Sequence, residues 1–101
     1  MVFGNKLRQL RESQHLVLRK VAAELDIDTA TMSKIERGDR CAKKEHIPIL
    51  SKIYSISEEE LKTLWLADKV CDIIAEEKEG LEALKVAEAH IEYSLTSSKS
   101  I

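Results

Sequence analysis

The chain has 101 residues, of which 44% are hydrophobic and 34% are charged. This length suits one small domain, and the apolar content is sufficient for a core, which excludes a chain that is disordered by composition. Three glycines and one proline argue against a turn-rich β-sandwich and favour helices joined by short loops. No apolar run approaches the roughly 20 residues of a membrane span, and residues 1–6 lack the apolar stretch of a signal peptide. We therefore expect a cytoplasmic protein.

Charge is divided unequally along the chain. Residues 1–44 carry ten Lys/Arg and six Asp/Glu, a net charge of +4, whereas residues 45–101 carry six Lys and twelve Asp/Glu, a net charge of −6. A basic first part suits a polyanionic partner, and an acidic second part repels one. Charge divisions of this size also occur in proteins with no nucleic-acid role, so this pattern alone does not decide the function.

Apolar spacing predicts two helices at the start of the chain. Phe3, Leu7 and Leu10 recur at i, i+4 and i+7, which predicts an amphipathic helix over residues 3–13. A second, shorter apolar pattern predicts a helix over about residues 18–25.

The third and fourth predicted helices have recognisable ends. Asp28 or Thr29 can cap the third helix by accepting a backbone N–H, and Gly38 is expected to end it in a left-handed conformation. The fourth helix is predicted to begin between residues 44 and 47 and to end near residue 54. Pro48 is tolerated only near a first turn, which allows a start shifted to residues 46–47.

Two further helices follow. Ser57 and Glu60 form a capping box that opens a long fifth helix, predicted over residues 57–78, and Gly80 is expected to break or kink it. A sixth helix is predicted to end near residue 95. Its apolar residues recur at spacings of three and four: Leu84, Ala87, Ile91 and Leu95.

Residues 15–38 contain the pattern with the most functional information. A short helix, a tight turn and a second helix follow one another, with the small residue Ala22 where two helices must approach closely and Ile27 as an apolar anchor inside the turn. This order is typical of a helix-turn-helix, whose second helix enters the major groove of DNA with its N-terminal end first.

On these residues the chain resembles the Cro/repressor-type helix-turn-helix family, the xenobiotic-response-element-like (XRE) regulators. The matching elements are Val21 with Ala22, the apolar Leu25 and Ile27, and residues 32–38 with the sequence MSKIERG. The similarity covers about residues 3–66. Residues 60–70 and the helix after them resemble small regulators of this family that are encoded beside DNA-methyltransferase genes.

The resemblance implies an all-α fold and a division of the chain. Residues 1–66 are expected to form a compact five-helix, lambda-repressor-like DNA-binding domain. Residues 67–95 are expected to form an additional C-terminal helical extension for dimerisation, and residues 96–101 a frayed tail.

The resemblance also assigns the DNA contacts. Residues 28–37 become the recognition helix, in which Thr29, Ala30 and Lys34 face base edges: Lys34 can donate to guanine, Thr29 can donate or accept, and the Ala30 methyl can touch a thymine methyl. The residues expected to contact phosphates, which position the helix without reading sequence, are Arg19, Thr31, Ser33, Arg37, Arg40, Lys43 and Lys44.

The sequence departs from the family pattern at the second helix. Val17 and Leu18 stand where the family has a capping Ser or Thr and a phosphate-binding Gln, so we assign the phosphate contact to Arg19 instead. Asp26 replaces the usual turn glycine, and Asp is one of the few residues that tolerate a left-handed backbone. The base-facing positions carry no Arg, Asn or Gln, so we expect DNA shape to contribute to specificity.

Arg11 and Glu36 match family positions that pair between the first and third helices. We interpret them as a salt bridge that orients the recognition helix, and the alternative is two unconnected surface charges. Such a bridge can orient a helix even where its net contribution to stability is small.

The remaining reactive residues indicate no enzyme and no cofactor. The three histidines, His15, His46 and His90, share no metal-ligand spacing with the cysteines or carboxylates, so no metal site is predicted. No catalytic residue is assigned either, because the sequence lacks a nucleophile-base pattern and a phosphate-binding glycine loop. Cys41 and Cys71 are expected to be ordinary thiols, although the basic neighbours of Cys41 leave a redox switch open.

The apolar face of the sixth helix must be buried on its own domain or on a second subunit. We favour a two-fold dimer through Leu84, Ala87, Ile91 and Leu95, which places two recognition helices about 34 Å apart, one turn of double-stranded DNA. The expected function is a dimeric repressor of transcription that binds a pseudo-palindromic operator, regulating itself or linked to a restriction-modification system. The alternatives are an antitoxin-type regulator and a protein-interaction module, each binding a protein partner through the acidic C-terminal helices.

Overall fold

The computed structural model describes residues 1–99, and within that range it contains six α-helices and no strand, which confirms the predicted all-α fold. The six helices are α1 (Val2–Ser13), α2 (Leu18–Glu24), α3 (Thr29–Arg37), α4 (His46–Tyr54), α5 (Glu58–Ile74) and α6 (Gly80–Lys99).

The chain divides into two compact units, one spanning Met1–Asp68 and a second that begins at Lys69. The first unit contains the core, to which α1 to α5 all contribute side chains. Each fully buried aliphatic or aromatic side chain of such a core stabilises the fold by about 1.5–3 kcal/mol. The buried apolar residues are Phe3, Leu7, Val21, Ala22, Leu25, Met32, Ile35, Ala42, Ile47, Leu50, Tyr54 and Leu61.

The local geometry of the helix-turn-helix follows the sequence signals. The Asp28 carboxylate accepts the Thr31 N–H at 2.6 Å and so caps α3, and Gly38 ends α3 with a φ of 83°. In the turn before α3, Asp26 adopts the left-handed conformation with a φ of 56°. The next N–H, that of Ile27, donates to the Ala22 carbonyl at 3.0 Å, which closes the turn onto α2.

The long fifth helix is shorter than the sequence predicts. It ends at Ile74 instead of residue 78, and Gly80 begins α6 rather than kinking a continuous helix. A Cβ at Gly80 would lie 2.5 Å from the Ile74 carbonyl oxygen. The chain can therefore turn tightly between the two helices only because residue 80 lacks a side chain.

The capping box of α5 forms only in half. Ser57 Oγ accepts the Glu60 N–H at 3.3 Å as predicted, but the Glu60 carboxylate lies 3.6 Å from Lys6 Nζ on α1 instead of returning to the cap. Lys6, which competes with the cap for the Glu60 carboxylate, is far from Glu60 in the sequence, so no local pattern reveals this pairing.

The second unit carries an exposed apolar surface. Gly80, the first residue of α6, is buried, and every residue from Leu81 to Thr96 is exposed. The predicted frayed tail begins inside this helix, which continues to Lys99, and residues 100 and 101 lie outside the described residues. The large exposed apolar residues of α6 are Leu81, Leu84, Val86, Ile91, Tyr93 and Leu95. In the part of the chain that is described, no helix is both long and apolar enough to cross a bilayer.

Candidate nucleic-acid interface

Helix α3 exposes the three residues expected to read bases. Met32 and Ile35 are buried on the inner side of α3, whereas Thr29, Ala30 and Lys34 are exposed. At 100° per residue, these three side chains fall within one sector of the helix, opposite the buried pair. The Asp28 cap fixes the backbone at the end of α3 that enters the groove first in helix-turn-helix proteins.

The seven residues assigned to phosphate contacts divide into two groups. Five long basic side chains are exposed, whereas two short hydroxyl side chains are half-buried within α3. The exposed residues are Arg19, Arg37, Arg40, Lys43 and Lys44, and the half-buried residues are Thr31 and Ser33.

Arg37 is held by its neighbours. Its Nη1 donates to Ser33 Oγ at 3.1 Å, and its Nε donates to Asp39 Oδ2 at the same distance of 3.1 Å. Because Asp39 and Arg37 are both exposed, this pair is solvent-screened and can rearrange around an incoming phosphate at small cost. The Ser33 hydroxyl therefore already accepts a hydrogen bond from Arg37. Its role in this structure is to hold the Arg37 side chain.

A cavity of about 320 Å³ lies beside the start of α3 and is lined by Arg40 and Lys43 together with Asp26 and Asp28. Hydrogen bonding from the Thr31 side chain is the largest cause that holds the pKa of the Asp28 carboxyl below its ordinary value, followed by the Thr31 backbone N–H. The charges of Arg40 and Lys34 lower this pKa as well. The basic residues beside α3 are thus partly balanced by acidic ones, which tempers non-specific attraction to DNA.

Arg11 and Glu36 form the bridge between α1 and α3. Arg11 Nε donates to Glu36 Oε2 at 2.8 Å and Nη2 donates to Oε1 at 3.1 Å. The remaining Nη1 donates to the Leu16 carbonyl at 3.2 Å, so the guanidinium also secures the loop between α1 and α2. The hydrogen bond to Glu36 raises the pKa of Arg11, so the guanidinium stays charged. Two-point pairing of this kind fixes geometry as well as charge.

Two positioning contacts were not predicted. Asp68 accepts the backbone N–H groups of Val2 and Phe3, each at 3.0 Å, and Trp65 Nε1 donates to the Ala42 carbonyl at 2.8 Å. The available sequence signal for Asp68 is its spacing: it follows the buried Leu61 by seven residues, so it faces the same side of α5. Its partners are about 65 residues away and leave no trace in the local sequence.

The reactive side chains form no further site within residues 1–99. No cluster of three His, Cys, Asp or Glu residues that could hold a metal ion is found there. Cys41 and Cys71 are exposed free thiols, and Cys41 Sγ lies 3.4 Å from the Ala42 carbonyl oxygen.

Comparison with known proteins agrees with this geometry. Residues 2–64 match the family model described as a helix-turn-helix domain. One curated relative, named Control protein C.BamHI, from Bacillus amyloliquefaciens, is 34% identical over 62 residues, which cover 60% of this chain and 76% of the relative. No solved structure matches the chain. The matched segment contains α1 to α4, the turn at Asp26 and most of the first unit. The chain therefore belongs to the helix-turn-helix family of XRE-type, DNA-binding transcriptional regulators.

Proposed function

We propose that this regulator is a dimeric, sequence-specific repressor that binds a pseudo-palindromic operator through α3. The observation that carries the proposal is the arrangement of α3: its inner side is buried by Met32 and Ile35, its first turn is capped by Asp28, and Lys34 is exposed on the outer side. A helix fixed in this way can be presented to the major groove as a rigid reading surface.

The base contacts are assigned by side-chain chemistry. Lys34 supplies donors for guanine O6 and N7, Thr29 supplies a hydroxyl that donates or accepts, and Ala30 supplies a methyl for contact with thymine. Only Lys34 can donate several hydrogen bonds. Direct readout by this set is modest, and the deformability of the uncontacted base pairs contributes the remaining specificity.

The phosphate contacts are assigned to the basic side chains around α3. Arg19 at the start of α2 and Arg40, Lys43 and Lys44 after α3 are all exposed. Each neutralised phosphate releases counterions, so this group supplies the salt-dependent part of the affinity. Arg37 joins it after exchanging Asp39 for a phosphate oxygen.

Dimerisation is assigned to α6. Leu84, Ile91 and Leu95 are 42%, 58% and 58% exposed and, with Ala87, share one side of the helix. A two-fold interface buries the same stripe on both copies and suits a palindromic site. Because half-sites must be bound together, the dimer is required for operator affinity.

A role in controlling a restriction-modification system follows from two similarities. Residues 60–70 and the helix after them resemble regulators encoded beside DNA-methyltransferase genes, and a relative at 34% identity bears the name of a control protein. The proposed signal is the concentration of the protein itself.

The test is selection of bound sites from a random duplex library, followed by affinity measurements at two salt concentrations. We expect an inverted repeat with half-sites about one turn apart, and Lys34→Ala should relax one position of it at a cost of about 1–3 kcal/mol. Arg40→Ala should weaken binding to all sites and lower the salt slope by about 1.

Lys52→Ala is the matched control, because it removes the same charge from an exposed position in the last turn of α4. It should leave both the selected sequence and the salt slope unchanged. If no sequence is enriched, and salt weakens binding to all duplexes equally, the repressor proposal is wrong.

A further inference from the structure

We propose that Asp68 is a positioning residue for the recognition helix. It holds the start of α1, and α1 in turn sets the place of α3 against the rest of the first unit. The proposal rests on the proposed function, because the role concerns how α3 meets its operator.

The first step is the contact between Asp68 and α1. The Val2 N–H donates to Oδ1 and the Phe3 N–H donates to Oδ2, each at 3.0 Å. Within α1 itself, Met1 at the N-cap makes no capping hydrogen bond through its side chain, and the first turn contains no acidic residue. A helix leaves four N–H groups unpaired at its start and carries partial positive charge there. Asp68 supplies both the acceptors and the charge from a distant part of the chain.

The second step is the contact between the start of α1 and the end of α3. A Cβ built at Gly4 would lie 2.5 Å from the carbonyl oxygens of both Ile35 and Glu36. The two helix backbones therefore approach each other as closely as a glycine permits. Because the neighbouring Phe3 is only 4% exposed, the first turn of α1 has little room to shift without moving the last turn of α3.

The third step is the rigidity of the element that carries Asp68. On the same helix, Leu61 is fully buried, and Trp65 Nε1 donates to the Ala42 carbonyl at 2.8 Å. The carboxylate of Asp68 is thus fixed relative to the core. At the opposite end of α1, Arg11 binds Glu36 of α3 through two hydrogen bonds. Asp68 and Arg11 together fix α1 at both of its ends. Near each of these ends, α1 also contacts α3, through Gly4 and through Arg11.

The proposal predicts a specific pattern of DNA affinities for the full-length chain. Asp68→Asn keeps the shape of the side chain and one acceptor oxygen, whereas Asp68→Ala removes both acceptors. We expect Asp68→Ala to weaken binding to the selected operator about tenfold, the loss that follows displacement of one bidentate base contact, and Asp68→Asn to weaken it less. Sedimentation should show an unchanged mass for both variants.

The matched controls are Asp72→Ala and Asp72→Asn. Asp72 lies one turn further along α5 and is exposed, so these variants remove the same charge from the same helix and leave the Asp68 hydrogen bonds to Val2 and Phe3 in place. Binding to random duplex should be equal for each Asp68 variant and its Asp72 control. A purely structural loss would lower the folded fraction without changing the ratio of specific to random affinity in the folded protein.

A second measurement tests the positioning itself without DNA. In the folded Asp68→Asn variant, amide chemical shifts should change at the end of α3, at Ile35, Glu36 and the C-cap Gly38. They should stay unchanged in the Asp72→Asn variant. If the wild-type chain selects no operator, the proposed function fails while this measurement still decides the role of Asp68. Unchanged α3 shifts, or equal operator affinities for the Asp68 and Asp72 variants, overturn the proposal.

Discussion

Arg11 and Glu36 are joined by two hydrogen bonds, of 2.8 and 3.1 Å, that link the last turn of α1 to the last turn of α3. The Glu36 side chain is 5% exposed and that of Arg11 is 18% exposed, so the pair lies largely out of water. Burying two charges is costly, and a pair of this kind adds little net stability while both partners are present. Removing one partner is different, because the other charge then stays buried without compensation.

Arg11→Ala is therefore expected to lower the free energy of unfolding by about 3 kcal/mol, with the loss arising from the stranded Glu36 carboxylate. Urea denaturation at neutral pH measures this directly. Glu36→Gln should cost less than Arg11→Ala, since it removes the buried charge along with one acceptor.

The control for that experiment is Arg8→Ala. Arg8 pairs with Glu12 at 3.2 Å on the exposed side of the same helix, with both side chains about 60% exposed. Such pairs contribute at most about 1 kcal/mol. Equal destabilisation by Arg8→Ala and Arg11→Ala would contradict the account of a buried bridge.

Tyr54 presents the opposite case, a buried hydroxyl without a partner. The residue is 2% exposed, and among the described residues its Oη has no hydrogen-bond partner. Burial raises the pKa of Tyr54 far above its ordinary value. Because an unpaired buried hydroxyl carries a desolvation penalty, Tyr54→Phe should leave the free energy of unfolding unchanged or raise it by about 1 kcal/mol.

Thermal and urea denaturation of Tyr54→Phe and Tyr54→Ala separate the two contributions of this side chain. Truncation to Ala empties the core site and should cost about 3–5 kcal/mol. A loss of more than 1 kcal/mol in Tyr54→Phe would mean that the hydroxyl has a partner in solution, such as a bound water.

The parts of the fold that the sequence predicts are those set by near neighbours. The Asp28 cap involves an N–H three residues away, and Gly38 and Asp26 adopt left-handed conformations that depend on the residue type at each position. The positive φ of 54° at Ser55, the C-cap of α4, has no such local signal, because serine rarely adopts this conformation.

The parts that sequence reasoning missed depend on distant residues. Nothing near Asp68 indicates that it caps α1, and nothing near Gly4 indicates that the carbonyl groups of α3 lie 2.5 Å from its missing Cβ. The end of α5 at Ile74 is a more local result: the chain turns between Ile74 and Gly80, where a Cβ on residue 80 would lie 2.5 Å from the Ile74 carbonyl oxygen, and apolar spacing does not show where that turn begins. The pairing of Arg11 with Glu36 was accessible only through resemblance to a family.

The cap of α3 should depend on pH. Hydrogen bonding to Thr31 lowers the pKa of Asp28 in the folded chain, so the unfolded chain takes up the proton first as the pH falls. The stabilisation is therefore complete above the unfolded value of about 4 and is lost as the pH falls through the lower folded value. Denaturation between pH 2.5 and 7 at constant ionic strength should show the advantage of wild type over Asp28→Asn shrinking in acid.

The comparison uses Asn because it also caps helices, which leaves the effect of the charge isolated. Asp72→Asn is the control, since Asp72 is exposed on α5. Its difference from wild type should not follow the same acid transition. Parallel stability curves for wild type and Asp28→Asn across the whole range would show that the charge of Asp28 does not stabilise α3.

The proposed dimer makes a prediction that depends on the face of α6. Leu84 and Ile91 lie on one side of the helix, whereas Val86, 69% exposed, is rotated about 200° from Leu84. Leu84→Glu places a charge in the proposed two-fold interface, where it meets its own copy, and should yield monomers by sedimentation. Operator affinity should then fall at least about tenfold, because each half-site must be bound separately.

Val86→Glu adds the same charge to the other side of α6 and should leave both the mass and the operator affinity unchanged. The pair of variants thus separates a specific interface from a general intolerance of charge in this helix. A dimer that survives Leu84→Glu but not Val86→Glu would place the interface on the opposite face. If neither variant changes the mass of a dimeric wild type, the subunits associate through the first unit, and α6 is left to bind another partner.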